Sequence, residues 1–585
     1  MANEGVCKIN KKIFILSYFD EKLRSYVMKK YFLAAVLAAL YASAFAQSSP
    51  VPGKWWVEFT DKDLSPYCTC RPYEFLSARS LERRARAGIA VQLNDLPVNP
   101  SYTEALRKKG AQLHLTSRWL NAAAVVADSA TAFSLQGLPF VKNVTYVGKH
   151  LRVKNPPNKA PKSRESLKKV PQIAGSSSVF GYASKQNSLL GLPTLHFAGH
   201  RGKDIWIAVM DGGFNLTDTM PFFDSVALQH RLYQGWDFVE RDKAVFESAM
   251  HGTSVLSLMA ANLPGYFVGT APDATYFLIK TEDTGGEFPI EEANWIAGAE
   301  WADSVGVDVL TASLGYTVFN DTTLGHRTWE LDGRTAIGSR GAAIAATKGM
   351  IVLNSAGNEG DNAWRTIGVP ADATGVLAVG AVTSTSTRAG FSSLGPTRDG
   401  RIKPDLMAPG DMVVTAGNYG TELGLSSGTS LAAPMLAGGM ASLWSAFPEK
   451  TAEEIINAVF ASADQNDRPD NERGFGLPDL TRAWLTMGGF YTDAPNDARE
   501  GLFAYDRTKG QLDLLLYEGV FTSQNRYELV DVLGNVHLPA SVQVRNNRLV
   551  QVSLSGLETL PPGMFRVRIT DPEGVVYNFL SMVWY

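Results

Sequence analysis

Between residues 181 and 488, short apolar segments alternate with segments that are long enough to form helices. The apolar segments are rich in Val, Ile and Leu and predict strands, at residues 205–210, 275–279, 307–310, 351–353 and 376–379. Strands that alternate with helices pair in parallel, and helices then cover both faces of the sheet. The sequence therefore predicts an α/β fold with a parallel sheet flanked by helices.

Polar and glycine-rich residues follow three of these strands. Asp211 comes directly after the first, Ser313-Leu314-Gly315 follows the third, and Ser355-Ala356-Gly357 and Asn358 follow the fourth. The carboxyl ends of parallel strands meet at one edge of a sheet, where functional residues gather. We therefore expect these residues to lie close together, although a chain that only needed turns there would use similar residues.

Ser430 lies between Gly428 and a long segment of small apolar residues that predicts a buried helix at 431–447. The unpaired N–H groups and the positive dipole end at a helix N-terminus favour an anion. Both a serine nucleophile and a tetrahedral oxyanion need such an environment. A serine at this place is also a common N-cap, and taken by itself Ser430 would be interpreted that way.

A serine nucleophile needs a base, and the base needs a carboxylate that orients it. The segments Asp211-Gly212-Gly213, His251-Gly252-Thr253 and Gly428-Thr429-Ser430 supply these groups in the order acid, histidine, serine. In that order, which other serine hydrolases do not share, the chain resembles the subtilisin family of secreted serine peptidases. The resemblance covers residues 181–485.

The resemblance implies a subtilisin-like peptidase domain and a serine endopeptidase that works through an acyl-enzyme. Ser430 would attack the scissile carbonyl, His251 would carry the proton, and Asp211 would orient His251. Asn358 and the Ser430 backbone N–H would form the oxyanion hole. Residues 313–315 would pair with the substrate backbone, and residues 355–357 would help to line the primary pocket.

Two other functions stay open on the sequence. One is a catalytically inactive surface-binding protein on the same fold, and the other is an esterase or acyltransferase. A rival motif, Gly424-Leu425-Ser426-Ser427-Gly428, matches the G-x-S-x-G form of α/β-hydrolases, which need a histidine after the serine. Only His537, far away in the tail, follows Ser426, and we interpret this match as accidental.

Charge, cysteines and loop composition limit the partners. A net charge of −3 gives no reason to expect nucleic acid, and the resemblance implies peptide substrates and no cofactor. The loop at 262–267 lacks the oxygen donors of the family's calcium loop, so no metal site is predicted and calcium binding is left open. Cys68 and Cys70 are too close in sequence for an easy disulfide.

The N-terminal sequence predicts export. Residues 28–46 begin with two lysines, continue with a short apolar run and end in Ala-Phe-Ala, which is typical of a cleavable signal peptide. Residues 1–27 are interpreted as an over-extended start. Residues 47–154, with a basic helix at 77–87, predict a small α/β pro-domain, which the resemblance makes an intramolecular inhibitor. Residues 155–180 predict a basic, proline-rich linker that proteases can reach.

The predicted peptidase domain spans residues 181–488, and short strands replace helices after it. Residues 489–585 therefore predict a small β-sandwich. This region resembles the sorting domains of type IX secretion, which would add that secretion machinery as a partner. A retained accessory domain is the alternative. We expect the protein to be secreted or at the cell surface.

Overall fold

A computed structural model of the chain describes residues 52–149, 168–169, 179–489 and most of 501–584. The predicted signal peptide, the segment before it and most of the predicted linker lie outside these residues. Within these ranges, no helix combines the length and the apolar character that crossing a bilayer requires.

The first described region is a small α/β unit, as the sequence predicts. Its elements are β1 (Gly53–Phe59), α1 (Ala78–Arg86), α2 (Pro100–Lys108), β2 (Gln112–Ser117), β3 (Ala122–Ala127), α3 (Ser129–Leu135) and β4 (Val141–Lys149). The strands form an antiparallel sheet in the order β2-β3-β1-β4. Ser77 starts α1 as an N-cap, because its side-chain oxygen accepts the Ser80 N–H.

The loop before α1 contains a disulfide between Cys68 and Cys70. The sequence expectation of no easy bridge is wrong here. Residues 68–71 form a tight turn, in which the Arg71 N–H donates to the Cys68 carbonyl at 3.2 Å. This turn leaves the two Cα atoms 5.2 Å apart, which is normal for a disulfide.

The second region contains a large parallel sheet with helices on both sides. In chain order, the helices and strands of this region are β5 (Lys168–Lys169), α4 (Ser184–Leu189), α5 (Leu192–Phe197), β6 (Trp206–Asp211), α6 (Asp224–Leu228), β7 (Leu232–Asp237), α7 (His251–Ala260), β8 (Asn262–Leu263), β9 (Phe267–Val268), β10 (Thr275–Lys280), α8 (Ile290–Val305), β11 (Val309–Ala312), α9 (Ile337–Ala346), β12 (Ile351–Ser355), β13 (Leu377–Val382), β14 (Leu406–Pro409), β15 (Val413–Ala416), β16 (Leu423–Ser426), α10 (Thr429–Ser445), α11 (Ala452–Ser462) and α12 (Leu480–Thr486).

Seven of these strands form the parallel sheet, in the order β14-β13-β12-β11-β6-β10-β7. Successive residues of β6 point to opposite faces, as side chains in a strand must. Ile207 and Val209 join a core with α7 and α10, and Ala208 and Met210 join a core with α8 and α9. The sheet is therefore buried on both faces, which explains its uniformly apolar strands.

The register of three neighbouring strands aligns the candidate site residues. Met210 of β6 pairs with Ala312 of β11, and Ala312 pairs with Asn354 of β12. Asp211, Ser313 and Ser355 each come one residue after this row. The three residues therefore emerge at the same level of the same sheet edge.

The C-terminal region is a small β-sandwich, in agreement with the prediction. Its described strands are β17 (Gly501–Asp506), β18 (Gln511–Leu516), β19 (Arg526–Asp531), β20 (Val536–His537), β21 (Ser541–Asn546), β22 (Val550–Ser555), β23 (Gly563–Thr570) and β24 (Val576–Trp584). They form two antiparallel sheets, β17-β18-β22-β21 and β20-β19-β23-β24. One hydrophobic cluster contains side chains of both sheets, among them Leu514 and Val567.

Candidate active site

Asp211 and His251 form a directly hydrogen-bonded pair. Asp211 is the last residue of β6 and His251 is the first residue of α7, which places their side chains together. His251 Nδ1 lies 2.8 Å from Asp211 Oδ2 and 3.0 Å from Oδ1. Because a carboxylate only accepts hydrogen bonds, the neutral imidazole carries its proton on Nδ1 and keeps Nε2 as a proton acceptor.

The Asp211 carboxylate is held in place by its own strand end. The Gly212 N–H donates to Asp211 Oδ1 at 2.7 Å, and Asp211 is only 1% exposed. A buried carboxylate beside an imidazole stabilises the protonated form of that imidazole. The pair can therefore accept a proton during a reaction and return it.

Ser430 is the second residue of α10, and its position follows from the helix sequence. Residues 429–444 are all buried, so the helix is fixed in the core on every side. Ser313 Oγ donates to the Ser430 carbonyl at 2.6 Å, which ties the segment after β11 to the start of α10. The serine thus sits at a rigid helix N-terminus, 6% exposed.

Asn358 is oriented by Thr429, the residue before the serine. Asn358 Oδ1 accepts from the Thr429 backbone N–H and from Thr429 Oγ1, both at 2.9 Å. The Thr429 hydroxyl in turn accepts the Gly357 N–H at 3.1 Å. Two donors fix the oxygen end of the amide, so the Asn358 NH₂ group is the end that remains for another acceptor. Sequence reasoning missed this role of Thr429, although the residue lies inside the serine motif.

The two predicted substrate-binding segments are joined by hydrogen bonds between their side chains and backbone. Asn354 Nδ2 donates to the Leu314 carbonyl at 2.8 Å, and Ser355 Oγ reaches the same carbonyl at 3.2 Å. A methyl group added at Gly315 would meet nothing within 4 Å, so the space beside Gly315 is open. Ala356 and Gly357 continue the opposite segment, where Gly357 accepts the Ser393 N–H at 2.9 Å.

A second carboxyl group, which sequence reasoning missed, lies near Asp211. Tyr316 donates to Glu282 Oε1 at 2.7 Å, and Thr281 donates to the same atom at 2.8 Å. Burial raises the pKa of Glu282 to about 8, and the charges of Glu287 and Asp211 act in the same direction. Burial therefore favours the neutral, protonated form of Glu282 over a second negative charge beside Asp211.

The described part of the chain contains no group of three or more His, Cys, Asp or Glu side chains arranged to hold a metal ion.

The N-terminal unit covers the outer side of α8 through two carboxylates. Glu300 accepts from Ser117 Oγ at 2.6 Å and from the backbone N–H groups of Arg118 and Trp119 at 2.9 and 3.0 Å. These three donors belong to the end of β2 and the turn after it. One side chain of α8 therefore fixes the position of the N-terminal sheet.

Asp303, one turn further along α8, lies under three arginines of the N-terminal unit. Arg83, Arg84 and Arg118 approach its oxygens at 2.6, 2.7 and 2.7 Å. Asp303 is fully buried, and Arg83 and Arg84 are 3% and 1% exposed. Lys348 of the second region completes the cluster by pairing with Asp95 at 2.9 Å. We call these six residues the Asp303 cluster.

Comparison with known protein families gives two matches. Residues 202–476 match the subtilase family of peptidases, peptidase S8. Residues 54–165 match the peptidase S8 propeptide domain of Bacteroidota. The second match covers the N-terminal unit that docks on α8, so the chain carries its own propeptide and is made as a zymogen.

Curated relatives agree with these matches. The chain is 31% identical over 280 residues to subtilisin of Bacillus pumilus, which is 47% of this chain and 90% of the relative. It is 29% identical over 365 residues to subtilisin NAT of Bacillus subtilis subsp. natto, covering 62% and 80%. Subtilisin DY of Bacillus licheniformis is 30% identical over 268 residues, covering 45% and 85%. Together with the fold, these similarities establish that the chain belongs to the subtilase family and is a serine endopeptidase that acts on polypeptides.

Proposed function

We propose that Asp211, His251 and Ser430 are the catalytic residues of this endopeptidase. The observation that carries the proposal is the short contact between Asp211 and His251, at the sheet edge next to the start of α10. His251 Nε2 takes the proton of Ser430 as the hydroxyl attacks the scissile carbonyl. Asp211 stabilises the imidazolium that forms, and His251 then gives the proton to the leaving amine.

Asn358 and the N-terminus of α10 stabilise the oxyanion. The hydrogen bonds from Thr429 hold the amide oxygen of Asn358 and present its NH₂ group as a donor. The backbone N–H of Ser430 supplies the second donor, at the positive end of the helix dipole. Removing one such side-chain donor costs a factor of about 10² to 10³ in turnover, a magnitude that was itself established on a subtilisin.

The substrate backbone lies along residues 313–315, and the side chain before the cleaved bond enters the space between that segment and residues 355–357. The open space beside Gly315 supports this placement. Extended substrates pair well with such an edge, because main-chain hydrogen bonds give affinity for many sequences.

The pro-domain inhibits the enzyme until the linker is cut. The proposed boundaries are residues 47–154 for the pro-domain, 155–180 for the linker and 181–488 for the peptidase domain. The Asp303 cluster supports this role, because a buried ionic interface holds the pro-domain on the peptidase domain. The basic composition of the linker supports cleavage there.

The protein is exported to the cell surface or the medium, with residues 28–46 as its signal peptide. The match to a propeptide domain and the signal-like sequence at residues 28–46 support this proposal. The C-terminal β-sandwich, residues 489–585, interacts with the type IX secretion machinery. A chain that ends at residue 488 should then stay inside the cell while folding and processing normally.

Replacement of Ser430 by alanine tests the residue assignments. The processed wild-type enzyme should cleave casein and lose activity with a serine-directed sulfonyl fluoride, whereas Ser430→Ala should be inactive and unlabelled. A Ser430→Ala protein that still cleaves casein would refute the assignment. Ester turnover without peptide turnover would favour the esterase alternative, and unchanged biological activity of Ser430→Ala would favour a binding role.

A further inference from the structure

The two proposed substrate-binding segments separate at one point of the sheet. β11 and β12 pair in parallel up to Ala312 and Asn354, and the chain then continues as residues 313–315 on one side and 355–357 on the other. Asn354 lies at this fork and is fully buried. Its Nδ2 donates to the carbonyl of Leu314 at 2.8 Å and to the carbonyl of Ser355 at 2.9 Å. One amide group therefore connects the two proposed substrate-binding segments.

The Leu314 carbonyl is turned inward by this contact. Asn354 Nδ2 and Ser355 Oγ both donate to it, from the side of β12. In an extended segment successive carbonyls point in opposite directions. With residues 313–315 extended, we expect the carbonyls of Ser313 and Gly315 to point away from β12, towards the side on which a substrate strand can pair.

The start of α10 is fixed to the same segment. Ser313 Oγ donates to the Ser430 carbonyl, so Ser313 is tied to the nucleophile's helix while Leu314 is tied to β12. A shift of the Leu314 carbonyl would move the substrate wall relative to Ser430.

We propose that Asn354 is a positioning residue that sets the width of the cleft and the alignment of residues 313–315. It contacts no reacting atom and acts through the Leu314 carbonyl. This inference rests on the proposed substrate-binding segments. It adds a residue that determines how tightly, and how selectively, the enzyme holds the substrate residue before the cleaved bond.

Replacement of Asn354 by alanine removes the donor and leaves the backbone in place. We expect KM for a peptide substrate to rise about tenfold while kcat changes less than threefold, because binding is lost more than chemistry. Cleavage of a peptide library should also show a broader preference at the residue before the cut. Both parameters are measured on the processed enzyme.

Asn187 is a matched control that separates positioning from simple stability. It is also fully buried, its Nδ2 donates to the Val268 carbonyl at 2.9 Å, and its Oδ1, like that of Asn354, has no partner among the described residues. It lies in α4, outside the proposed site. Asn187→Ala should lower the unfolding midpoint about as much as Asn354→Ala and leave KM and kcat unchanged.

The proposal is overturned if Asn354→Ala keeps the wild-type KM and cleavage preference. If Asn354→Ala does not fold, Ser355→Ala removes the other donor on the Leu314 carbonyl and should raise KM about two- to threefold. An unchanged KM in Ser355→Ala would then overturn the proposal. Failure of the catalytic assignment is a separate result, since it appears as residual activity in Ser430→Ala.

Discussion

The two sides of the central sheet are covered in different ways. On one side α7 and α10 pack with small apolar side chains, and α10 is buried over residues 429–444. On the other side α8 packs apolar residues on the sheet, and pro-domain side chains such as Trp56 and Trp119 share the same hydrophobic cluster. This helix also turns Glu300 and Asp303 outward, where the pro-domain covers them. The first contact is permanent and holds Ser430, the proposed nucleophile, whereas the second has to be released.

The two interfaces differ in the kind of surface that each would expose to water if it opened. Exposed apolar surface is costly in water, whereas an exposed carboxylate is well hydrated. Glu300 and Asp303 can therefore return to water when the pro-domain leaves, although some apolar surface of the shared cluster is exposed with them. In contrast, α10 is buried on every side and cannot leave the core. Buried ion pairs add little net stability and are sensitive to the loss of one partner. Such an interface is suited to a partner that must be recognised and later removed.

The largest expected effect is that of Asp303→Asn. Three arginines would lose their shared counter-charge in a buried site, which costs about 3–5 kcal/mol. In a Ser430→Ala proenzyme whose linker has been cut by an added protease, the pro-domain should then dissociate at least 10²-fold faster. Size-exclusion chromatography follows the release. Glu104→Gln, which removes an exposed pair with Arg107, should leave the rate unchanged. Equal rates in all three proteins would contradict the role of the Asp303 cluster.

On the side of the sheet covered by α7 and α10, added side-chain volume should destabilise the protein. A methyl group at Gly438 of α10 would lie 2.0 Å from Thr270 Oγ1 and 3.1 Å from Met259. Gly438→Ala should therefore destabilise the Ser430→Ala protein by about 1–3 kcal/mol. At the next residue, Gly439, the methyl group would meet only the end of the Leu480 side chain. Gly439→Ala should therefore cost less than Gly438→Ala in thermal unfolding, and equal losses at both glycines would contradict this account.

His326, which contacts Glu292 of α8, should make the stability of the protein decrease at alkaline pH. Burial lowers its pKa, but Glu292 at 2.7 Å and Glu330 outweigh burial and raise it to about 9. A histidine whose pKa is raised on folding stabilises the protein below pH 6.5 and loses that effect as pH rises through 9. The free energy of unfolding should fall by about 2 kcal/mol between pH 6.5 and 9. In His326→Gln this decline should disappear, and an unchanged decline would contradict the assignment.

His196, which is buried on the side of the sheet covered by α10, should make the stability of the protein decrease in acid, by a smaller amount. Burial lowers its pKa to about 4, and its Nε2 donates to the Thr270 carbonyl at 3.1 Å. The unfolded chain therefore binds a proton that the folded protein does not, so stability falls as pH drops from 6.5 towards 4. The loss should be about 1 kcal/mol at pH 5.5. His196→Gln should reduce the slope of unfolding midpoint against pH in that range, whereas a slope equal to that of the parent would disprove the explanation.

Local sequence was sufficient to predict a parallel sheet with flanking helices and to place the catalytic candidates after its strands. It predicted five of the seven strands and missed β7 and β14. Strand ends could be located because apolar runs stop at Asp211 and before Ser313. The buried helix was predicted at 431–447 and lies at Thr429–Ser445. Each of these features depends on residues that are close together in the chain, where periodicity and turn residues carry the information.

Features that depend on distant partners could not be predicted. A basic helix such as the one predicted at 77–87 is typically exposed to solvent. Arg83 is nevertheless buried, because Asp303, 220 residues away, binds it. Asn354 looks like any polar residue at a strand end until the Leu314 carbonyl is placed beside it. The Cys68–Cys70 bridge depends on the turn that sequence spacing did not reveal. In each case tertiary contacts decide the role of the residue.

The pairing of residues across β6, β11 and β12 also limits where the chain can gain or lose residues. Met210, Ala312 and Asn354 are paired across three strands, so deleting a single residue within one of them would rotate every later side chain of that strand to the opposite face. Changes in chain length are therefore compatible with catalysis in the loops but not within β6, β11 or β12. We expect natural and engineered insertions to accumulate outside these three strands.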